Sequence, residues 1–328
     1  MGCRTRSVIK SLVYRVAGPV WLAVLFALPL QALTPQADDS ILREFLWEKF
    51  TELPANQRPK IGLALSAGGV RGFAHVGTLE VFSDAGVPID MISGTSMGAI
   101  VGSLYAGGLS VSKLWEISSH LTMKTITPDY NVVGLMRVLF AKKLPASTNL
   151  ANFVQAQLGD IQFEDLQIPF SCAAMDIKTG ERVLFDSGPL AIAVRASMNL
   201  PGVFEPVAYR HRLLVDGAVV DYLPVETVKQ MGADYIIASI TPPDFFSKTP
   251  KTVAAYLARV GDVRGAAMIE EAAQKANFVL TNRVLDVGTL ELDQLHKAGE
   301  VGIKEAHQHM EELQQSILLF TLPYVLKP

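Results

Sequence analysis

The chain has 328 residues, of which 49% are hydrophobic and 19% are charged. This length and balance exclude a disordered protein and allow either one large domain or two small ones. The net charge of −3 argues against a nucleic-acid-binding protein, because neutralising phosphates requires a basic surface. Two cysteines exclude a disulfide-rich scaffold and a zinc site built on cysteines.

The first 32 residues have the layout of a secretory leader. Residues 1–32 contain no acidic side chain and four basic ones, Arg4, Arg6, Lys10 and Arg15. An apolar run, VAGPVWLAVLFALPL, extends from Val16 to Leu30, which is shorter than the about 20 residues of a membrane-spanning helix. We expect a signal peptide with cleavage at Ala32, or an uncleaved N-terminal anchor, and therefore an exported protein that is periplasmic, secreted or membrane-attached. Without this segment the chain has 25 basic and 32 acidic side chains, a net charge of −7.

Residues 33–59 predict a short helix followed by a linker. The stretch DDSILREFLWEKFTEL, from Asp38 to Leu53, has an amphipathic pattern and starts with a cluster of N-capping residues. The following PANQRPK contains two prolines, which end the helix and mark the start of the next element.

From Lys60 onward, short apolar runs alternate with helical stretches. The expected strands are Ile61–Ser66, Ile89–Ser93, Phe170–Met175, Arg182–Phe185, Leu213–Val215 and Tyr235–Ile240. The expected helices between the first strands are Phe73–Ala85 and Ala99–Ala106. This alternation predicts one α/β domain over residues 60–243 with a mainly parallel sheet.

After Pro243 the pattern becomes mostly helical. We expect a helix over residues 251–277, a strand-like run over 278–292 and a long helix over 293–319. Residues 244–328 are therefore predicted to form a C-terminal extension packed on the α/β domain. The apolar tail Ile317–Leu326 is too short to span a membrane, so it either docks on the domain, which we favour, or contacts a lipid surface.

A glycine-containing turn, Ser66–Gly72 (SAGGVRG), follows the first strand and opens the first helix of the domain. Such a turn brings backbone N–H groups close to a ligand and suits an anion, which could be a nucleotide phosphate or the oxyanion of an acyl-transfer intermediate. As a dinucleotide-binding motif it is defective, because Ala67 stands where the first glycine is needed. It also lacks the Gly-Lys-Ser/Thr ending of a P-loop.

The second strand-to-helix turn, Gly94–Gly98 (GTSMG), matches the pattern G-x-S-x-G. In this motif a sharp turn exposes the serine hydroxyl, and glycines on either side prevent steric clashes. MIS before it and AIVGSLYAGG after it supply the required strand and helix. We therefore expect Ser96 to be a nucleophile, with Gly94 and Gly98 as the glycines of the turn.

A serine nucleophile needs a neighbouring base. Histidine is the usual choice, and the candidates that follow Ser96 are His120, His211, His296, His307 and His309. None of them lies in a glycine-rich or turn-rich loop that would present it to a site. Asp216, in contrast, follows a predicted strand and precedes Gly217-Ala218, at the sheet edge where active-site groups of open α/β sheets gather. Asp216 is therefore the candidate base, and a structural turn aspartate is the alternative.

For several other residues that could belong to a site, we favour a structural role over a functional one. Cys172 lies in an apolar strand and is expected to be a buried, unreactive thiol. His75, just after the glycine turn, is close enough to touch a site, but a hydrogen-bonded helix histidine is the preferred interpretation. Four apolar residues between two helices either line an acyl pocket or pack in the core, which we favour: Trp115, Met123, Met136 and Phe140.

The motifs AGGVRG, GTSMG and DGA, in this order, resemble those of the patatin-like phospholipase family, and so does the segment RASMNLPGVFEPV from Arg195 to Val207. The similarity covers about Lys60–Ile240. It implies a three-layer α/β/α fold with a mainly parallel central sheet, and a catalytic pair of Ser96 and Asp216 without histidine. It also implies an oxyanion hole from backbone N–H groups, and neither a metal nor a cofactor. The residues of that hole would be Gly68, Gly69, Val70 and Arg71.

Within this resemblance, Arg71 either supports the oxyanion hole or acts as a structural guanidinium that pins the loop. Two positions depart from the family pattern: Ala67 stands at the start of the glycine run, and Asp221 stands where asparagine is frequent. Neither change removes an N–H group from the hole, so the chemistry should survive both.

The resemblance implies a serine lipid acyl hydrolase of the phospholipase A, lysophospholipase or carboxylesterase type. Its substrate would be a lipid or acyl ester reached by contact with a membrane surface, and no nucleic acid is expected to bind. The alternatives are an α/β-hydrolase with a Ser-His-Asp triad and a catalytically idle lipid-binding protein. The sequence leaves the ester and the oligomeric state open.

Overall fold

The computed structural model describes residues 38–121, 144–245 and 253–325. The predicted leader over residues 1–32 lies outside these ranges, and so do Met123, Met136 and Phe140. Two compact units are distinguished, Met1–Leu46 and Trp47–Pro328, and the sheet and the candidate site described below belong to the second.

Within the described ranges the elements alternate as the sequence pattern predicts. The helices are α1 (Asp38–Thr51), α2 (Ala74–Asp84), α3 (Met97–Ala106), α4 (Val111–His120), α5 (Thr148–Leu158), α6 (Leu190–Ser197), α7 (Val225–Gln230), α8 (Val253–Ala273) and α9 (Leu295–Val325). The strands are β1 (Ile61–Leu65), β2 (Met91–Gly94), β3 (Phe170–Asp176), β4 (Arg182–Phe185), β5 (Val207–Tyr209), β6 (Arg212–Asp216), β7 (Tyr235–Ile240) and β8 (Phe278–Thr281).

One mixed sheet joins these strands in the order β5-β6-β3-β2-β1-β7-β8, with β4 also paired to β3. The five strands from β3 to β8 along this path are parallel, whereas β4, β5 and β6 are antiparallel to their neighbours. The mainly parallel α/β sheet predicted from the sequence is therefore confirmed.

Helices cover both faces of the sheet, as the side chains of β1 show. Ile61, Leu63 and Leu65 point into the larger core with residues of α2, α3 and α9. Ala64 points into a second core on the opposite face, together with Val228 of α7 and other apolar residues. Because neighbouring residues of a strand point to opposite faces, this fully buried strand requires apolar residues at every position. The result is a three-layer α/β/α arrangement.

Three regions differ from the sequence-based expectation. The glycine turn contains a short 3₁₀ helix, Gly69–Phe73, before α2 begins. Only Phe278–Thr281 of the predicted strand-like run over 278–292 forms a strand. Trp115 lies on a helix, α4, rather than between helices. No helix within the described ranges is long and apolar enough to cross a membrane.

Two helices of the larger core, α2 and α9, approach each other at glycines. A Cβ atom on Gly302 would overlap the carbonyl of Ala74, and one on Gly77 would overlap the carbonyl of Gly299. The backbones can therefore touch only while these positions lack side chains, which fixes α9 against the helix that follows the glycine turn.

Replacing Gly302 with alanine is expected to lower the free energy of unfolding by about 1–3 kcal/mol, because the new methyl group forces the two backbones apart. The matched control is Gly261→Ala on α8, where a Cβ would meet nothing within 4 Å. The control should instead gain about 0.5–1 kcal/mol from helix propensity. Urea denaturation measures both, and equal effects at the two positions would contradict the close helix contact.

Candidate active site

The turn between β2 and α3 has the strained geometry of a nucleophile elbow. Ser96 has φ 55° and ψ −119°, a backbone conformation that is unfavourable for a residue with a side chain. A Cβ on Gly94 would overlap the carbonyl of Gly98, and a Cβ on Gly98 would overlap that of Leu65. Both glycines are therefore required by space, which agrees with their predicted place in the turn.

The sheet register brings Asp216 next to this turn. Both β2 and β6 pair with β3, which places Gly94 opposite Cys172 and Asp216 opposite Ala174. The Ser96 Oγ donates a hydrogen bond to Asp216 Oδ2 at 2.7 Å. Ser96 and Asp216 are 4% and 1% exposed, so this hydrogen bond is shielded from water. The two candidates that the sequence places 120 residues apart thus form a pair.

The environment of Asp216 makes its carboxyl group a base that titrates near neutral pH. Burial raises the pKa of Asp216 from 3.8 to about 7, because a charged carboxylate loses its hydration inside the protein. Hydrogen bonds from the Ala218 N–H, at 2.8 Å, and from the Ser96 hydroxyl act in the opposite direction. A pKa near the working pH favours general base catalysis.

The last residue of α6 and the segment that follows it hold both members of the pair. The Ser197 Oγ accepts a hydrogen bond from the Ser96 N–H at 3.1 Å, and the Asn199 carbonyl accepts one from the Asp216 N–H at 2.9 Å. The Asn199 side chain in turn donates to the carbonyls of Glu205 and Leu214. The sequence singled out this segment only through its resemblance to a family, and these contacts explain what it does.

The glycine turn lies directly beside the nucleophile elbow. A Cβ on Gly72 would come within 2.7 Å of the Met97 Cβ, so the 3₁₀ helix rests on the residue that follows Ser96. Gly69 has φ 57°, and a Cβ there would overlap the Thr289 carbonyl. This position therefore requires glycine both for its backbone conformation and for space.

The N–H groups of the turn are not equally available. The Val70 N–H donates to the Thr289 carbonyl at 3.0 Å. It is therefore not free to bind an oxyanion, in contrast to the expectation that Val70 contributes to the oxyanion hole. Within the described ranges, no hydrogen bond uses the N–H of Gly68 or Gly69. These two groups are the ones that the loop offers to an anion.

The Arg71 side chain points into the protein. Its Nη2 contacts Asp262 Oδ1 of α8 at 3.0 Å, and its Nη1 lies 3.4 Å from both the Val287 carbonyl and the Thr289 Oγ1. Of the two roles left open by the sequence, the structure shows a guanidinium that pins the loop. Asp262 and Thr289 were not foreseen, because neither belongs to a recognisable motif.

His75 has the structural role that we favoured. It is fully buried, and its Nδ1 and Nε2 lie 2.9 Å from the Ser239 Oγ and from the Ser66 carbonyl. Burial lowers the pKa of His75 to about 4, so the ring is neutral at physiological pH. A neutral ring that bridges β7 and the start of the glycine turn is a positioning group rather than a base.

Among the side chains that the structure describes, His211, His296, His307 and His309 form no hydrogen bond with Ser96 or Asp216. His211 lies in the exposed turn before β6, His296 is 70% exposed and 3.3 Å from Glu300, and His309 Nδ1 lies 2.9 Å from the Glu305 carbonyl. No hydrogen bond recorded for the described side chains links a histidine to Ser96 or Asp216. The side chain of His120 is not among those that the structure describes.

Two further expectations concern Asp221 and Cys172. Asp221 forms an ion pair with Arg182 of β4 at 2.6 Å, which accounts for its charge at this position. Cys172 is fully buried, and burial raises the pKa of its thiol, as expected for an unreactive cysteine. Over residues 38–121, 144–245 and 253–325, no cluster of His, Cys, Asp and Glu side chains could hold a metal ion.

Asp216→Asn is expected to stabilise the protein at alkaline pH. Because folding raises the pKa of Asp216, the folded state binds more protons than the unfolded state between about pH 4 and pH 7. The wild type therefore loses stability as the pH rises through this window, whereas the variant does not titrate there. The variant should gain up to about 4 kcal/mol at pH 8 and clearly less at pH 5. Thermal unfolding at both pH values measures this, and an equal difference at both would contradict the buried carboxyl.

Comparison with known proteins places this geometry in a family. The model of the patatin-like phospholipase family matches residues 63–229. An uncharacterized NTE family protein of Mycobacterium tuberculosis is 35% identical over 184 residues, which are 55% of this chain and 48% of that protein. The lysophospholipase NTE1 of Scheffersomyces stipitis is 32% identical over 183 residues, 54% of this chain and 11% of that protein. The chain thus matches about half the length of the first relative and about a tenth of the second.

Among solved structures, human GIVD cytosolic phospholipase A2 matches with a TM-score of 0.49 and 11% identity, covering 87% of this chain and 67% of that one. VipD from Legionella pneumophila matches with the same TM-score and 13% identity, covering 78% and 67%. The family model extends over about half of the chain and includes the glycine turn, the elbow and Asp216. Because this family model matches half of the chain, the chain belongs to the patatin-like phospholipase family.

Proposed function

We propose that this protein is a lipid acyl hydrolase in which Ser96 is the nucleophile and Asp216 is its base. The observation that carries the proposal is the buried 2.7 Å hydrogen bond from the Ser96 Oγ to Asp216 Oδ2, at a strained strand-to-helix turn. The name of the relative from Scheffersomyces stipitis, lysophospholipase NTE1, supports a lipid ester as the substrate. Contact with a membrane surface is part of the proposal, since such substrates reside there.

The acylation step follows from this geometry. Asp216 accepts the Ser96 proton as the Ser96 Oγ forms a bond to the acyl carbon of the ester. The carbonyl oxygen becomes an oxyanion, for which the N–H groups of Gly68 and Gly69 are the free donors of the adjoining loop. A single donor of this kind typically contributes about 10²–10³ in rate. The tetrahedral intermediate collapses, the proton passes from Asp216 to the leaving alcohol, and an acyl-enzyme remains.

Deacylation repeats these steps with water. Asp216 takes a proton from the attacking water, the same N–H groups hold the second oxyanion, and the Ser96 Oγ leaves with the proton from Asp216. The carboxylic acid is released, and Ser96 and Asp216 return to their starting states. With a pKa of about 7, Asp216 can both accept and return a proton near neutral pH.

The two alternative functions have less support from the structure. A Ser-His-Asp triad needs a histidine between the serine and the acid, but the Ser96 hydroxyl donates directly to Asp216. An idle lipid-binding protein has no need of a serine held at positive φ beside a buried carboxyl group, since both features reduce stability.

Ser96→Ala and Asp216→Ala are each expected to lower kcat/KM by at least about 10³-fold, because each removes one member of the reacting pair. The measurement is a panel of esters of increasing chain length, presented as monomers and in phosphatidylcholine vesicles. The matched control is Ser103→Ala on α3, since the Ser103 Oγ only donates to the carbonyl of Ile100. Ser103→Ala should retain wild-type activity.

Labelling with a fluorophosphonate probe separates the alternatives. The wild type should be labelled at Ser96 and the Ser96→Ala variant should not. Equal hydrolysis by wild type, Ser96→Ala and Asp216→Ala would contradict the pair. Loss of activity in folded His211→Ala or His296→Ala would favour a triad, and a folded wild type without any label would favour an idle protein.

A further inference from the structure

We propose that Asp262 of α8, in the region after the family match, positions the glycine turn (Ser66–Gly72) through Arg71. The proposal rests on the function proposed above and assigns Asp262 the role of a positioning residue. The family model ends at residue 229, so this contribution comes from a part of the chain that the match does not include.

The ion pair between Arg71 and Asp262 is mostly enclosed. The Arg71 Nη2 and Asp262 Oδ1 are 3.0 Å apart, and the two side chains are 3% and 12% exposed. Inside a protein, removing one partner of such a pair leaves an uncompensated charge, which is much more unfavourable than at the surface. Arg71 therefore has a strong preference for the position that Asp262 defines.

A second contact acts on the preceding loop residues. The Thr289 carbonyl accepts the Val70 N–H at 3.0 Å and leaves no room for a side chain on Gly69. Arg71 Nη1 approaches the Val287 carbonyl and Thr289 Oγ1 in the same segment. Three successive residues of the turn, 69–71, are thus contacted by Asp262, Val287 and Thr289, which lie far from the turn in sequence.

Helix α8 also supports the start of the loop through Tyr222. The Tyr222 ring packs where Gly265 of α8 lacks a Cβ, and the Tyr222 carbonyl accepts the Ala67 N–H at 2.9 Å. Asp262 lies about one turn before Gly265, so one face of α8 acts on the end of the glycine turn through Arg71 and on its start through Tyr222. Gly68 and Gly69, whose N–H groups are free, lie between these two supports.

A loop that holds an oxyanion acts on the transition state, because the charge that it binds does not exist in the substrate. Moving it should therefore reduce kcat and leave KM largely unchanged. A misplacement of about 1 Å typically lowers the rate about 10²-fold. A residue that only stabilises the fold would change neither constant once the amount of folded enzyme is known.

The test compares Asp262→Ala with the control Glu270→Ala, an exposed acid on the same helix. Exhaustive labelling with a fluorophosphonate counts the folded sites, and kcat and KM are expressed per site. Asp262→Ala should lower kcat by about 10–100-fold with KM within about twofold, and should slow the labelling. Asp262→Asn, which keeps a hydrogen-bond acceptor for Arg71, should lose less. Glu270→Ala should match the wild type.

Because an unpaired Arg71 could prevent folding, a double variant completes the test. Arg71→Met/Asp262→Leu removes both buried charges, a change that proteins tolerate well. We expect it to fold and to remain about as slow as Asp262→Ala, since the loop has lost its support. Wild-type kcat per site in Asp262→Ala or in the double variant would overturn the positioning role. If the wild type itself takes up no label at Ser96, the proposed function has failed instead.

Discussion

Asp216 is almost fully enclosed, and its carboxyl group accepts one hydrogen bond from the Ser96 hydroxyl and one from the Ala218 N–H. Burial makes the charged form unfavourable and raises its pKa to about 7, so the protein keeps a base that is poised at neutral pH at the expense of stability. The strained backbone of Ser96 is a second unfavourable feature at the same place. Both persist because the surrounding sheet, helix and loop leave these groups no alternative position.

Three parts of the chain meet to impose this arrangement. The sheet sets the distance between the elbow and Asp216, since β2 and β6 share β3 as their partner. The end of α6 and the residues after it fix both backbones through Ser197 and Asn199. The glycine turn is held by Asp262 of α8 and by the segment around Thr289. A site assembled in this way depends on residues spread over most of the described chain, which explains why its parts are distant in sequence.

The sequence allowed the features that depend on local geometry to be predicted. The strands Arg182–Phe185 and Tyr235–Ile240 have the expected bounds. Tyr235–Ile240 is fully buried, and buried strands are continuous apolar runs. Ser96 and Asp216 could be found because each is tied to a strand end with glycine beside it. The partners of the loop could not, since Asp262 is 191 residues from Arg71 and lies in an ordinary helical pattern. The hydrogen bond from the Val70 N–H could not be predicted either, because its acceptor is a backbone carbonyl that any residue could supply.

The Asp216 carboxyl group is buried beside Ser96, and its pKa of about 7 means that it ionises near neutral pH. Infrared difference spectroscopy measures this directly, since a protonated carboxyl group has a carbonyl band that disappears on ionisation. In the wild type, a band that is missing from Asp216→Asn should be lost with a midpoint near pH 7. A band that is lost near pH 4, at the ordinary pKa of an aspartate, would contradict the account.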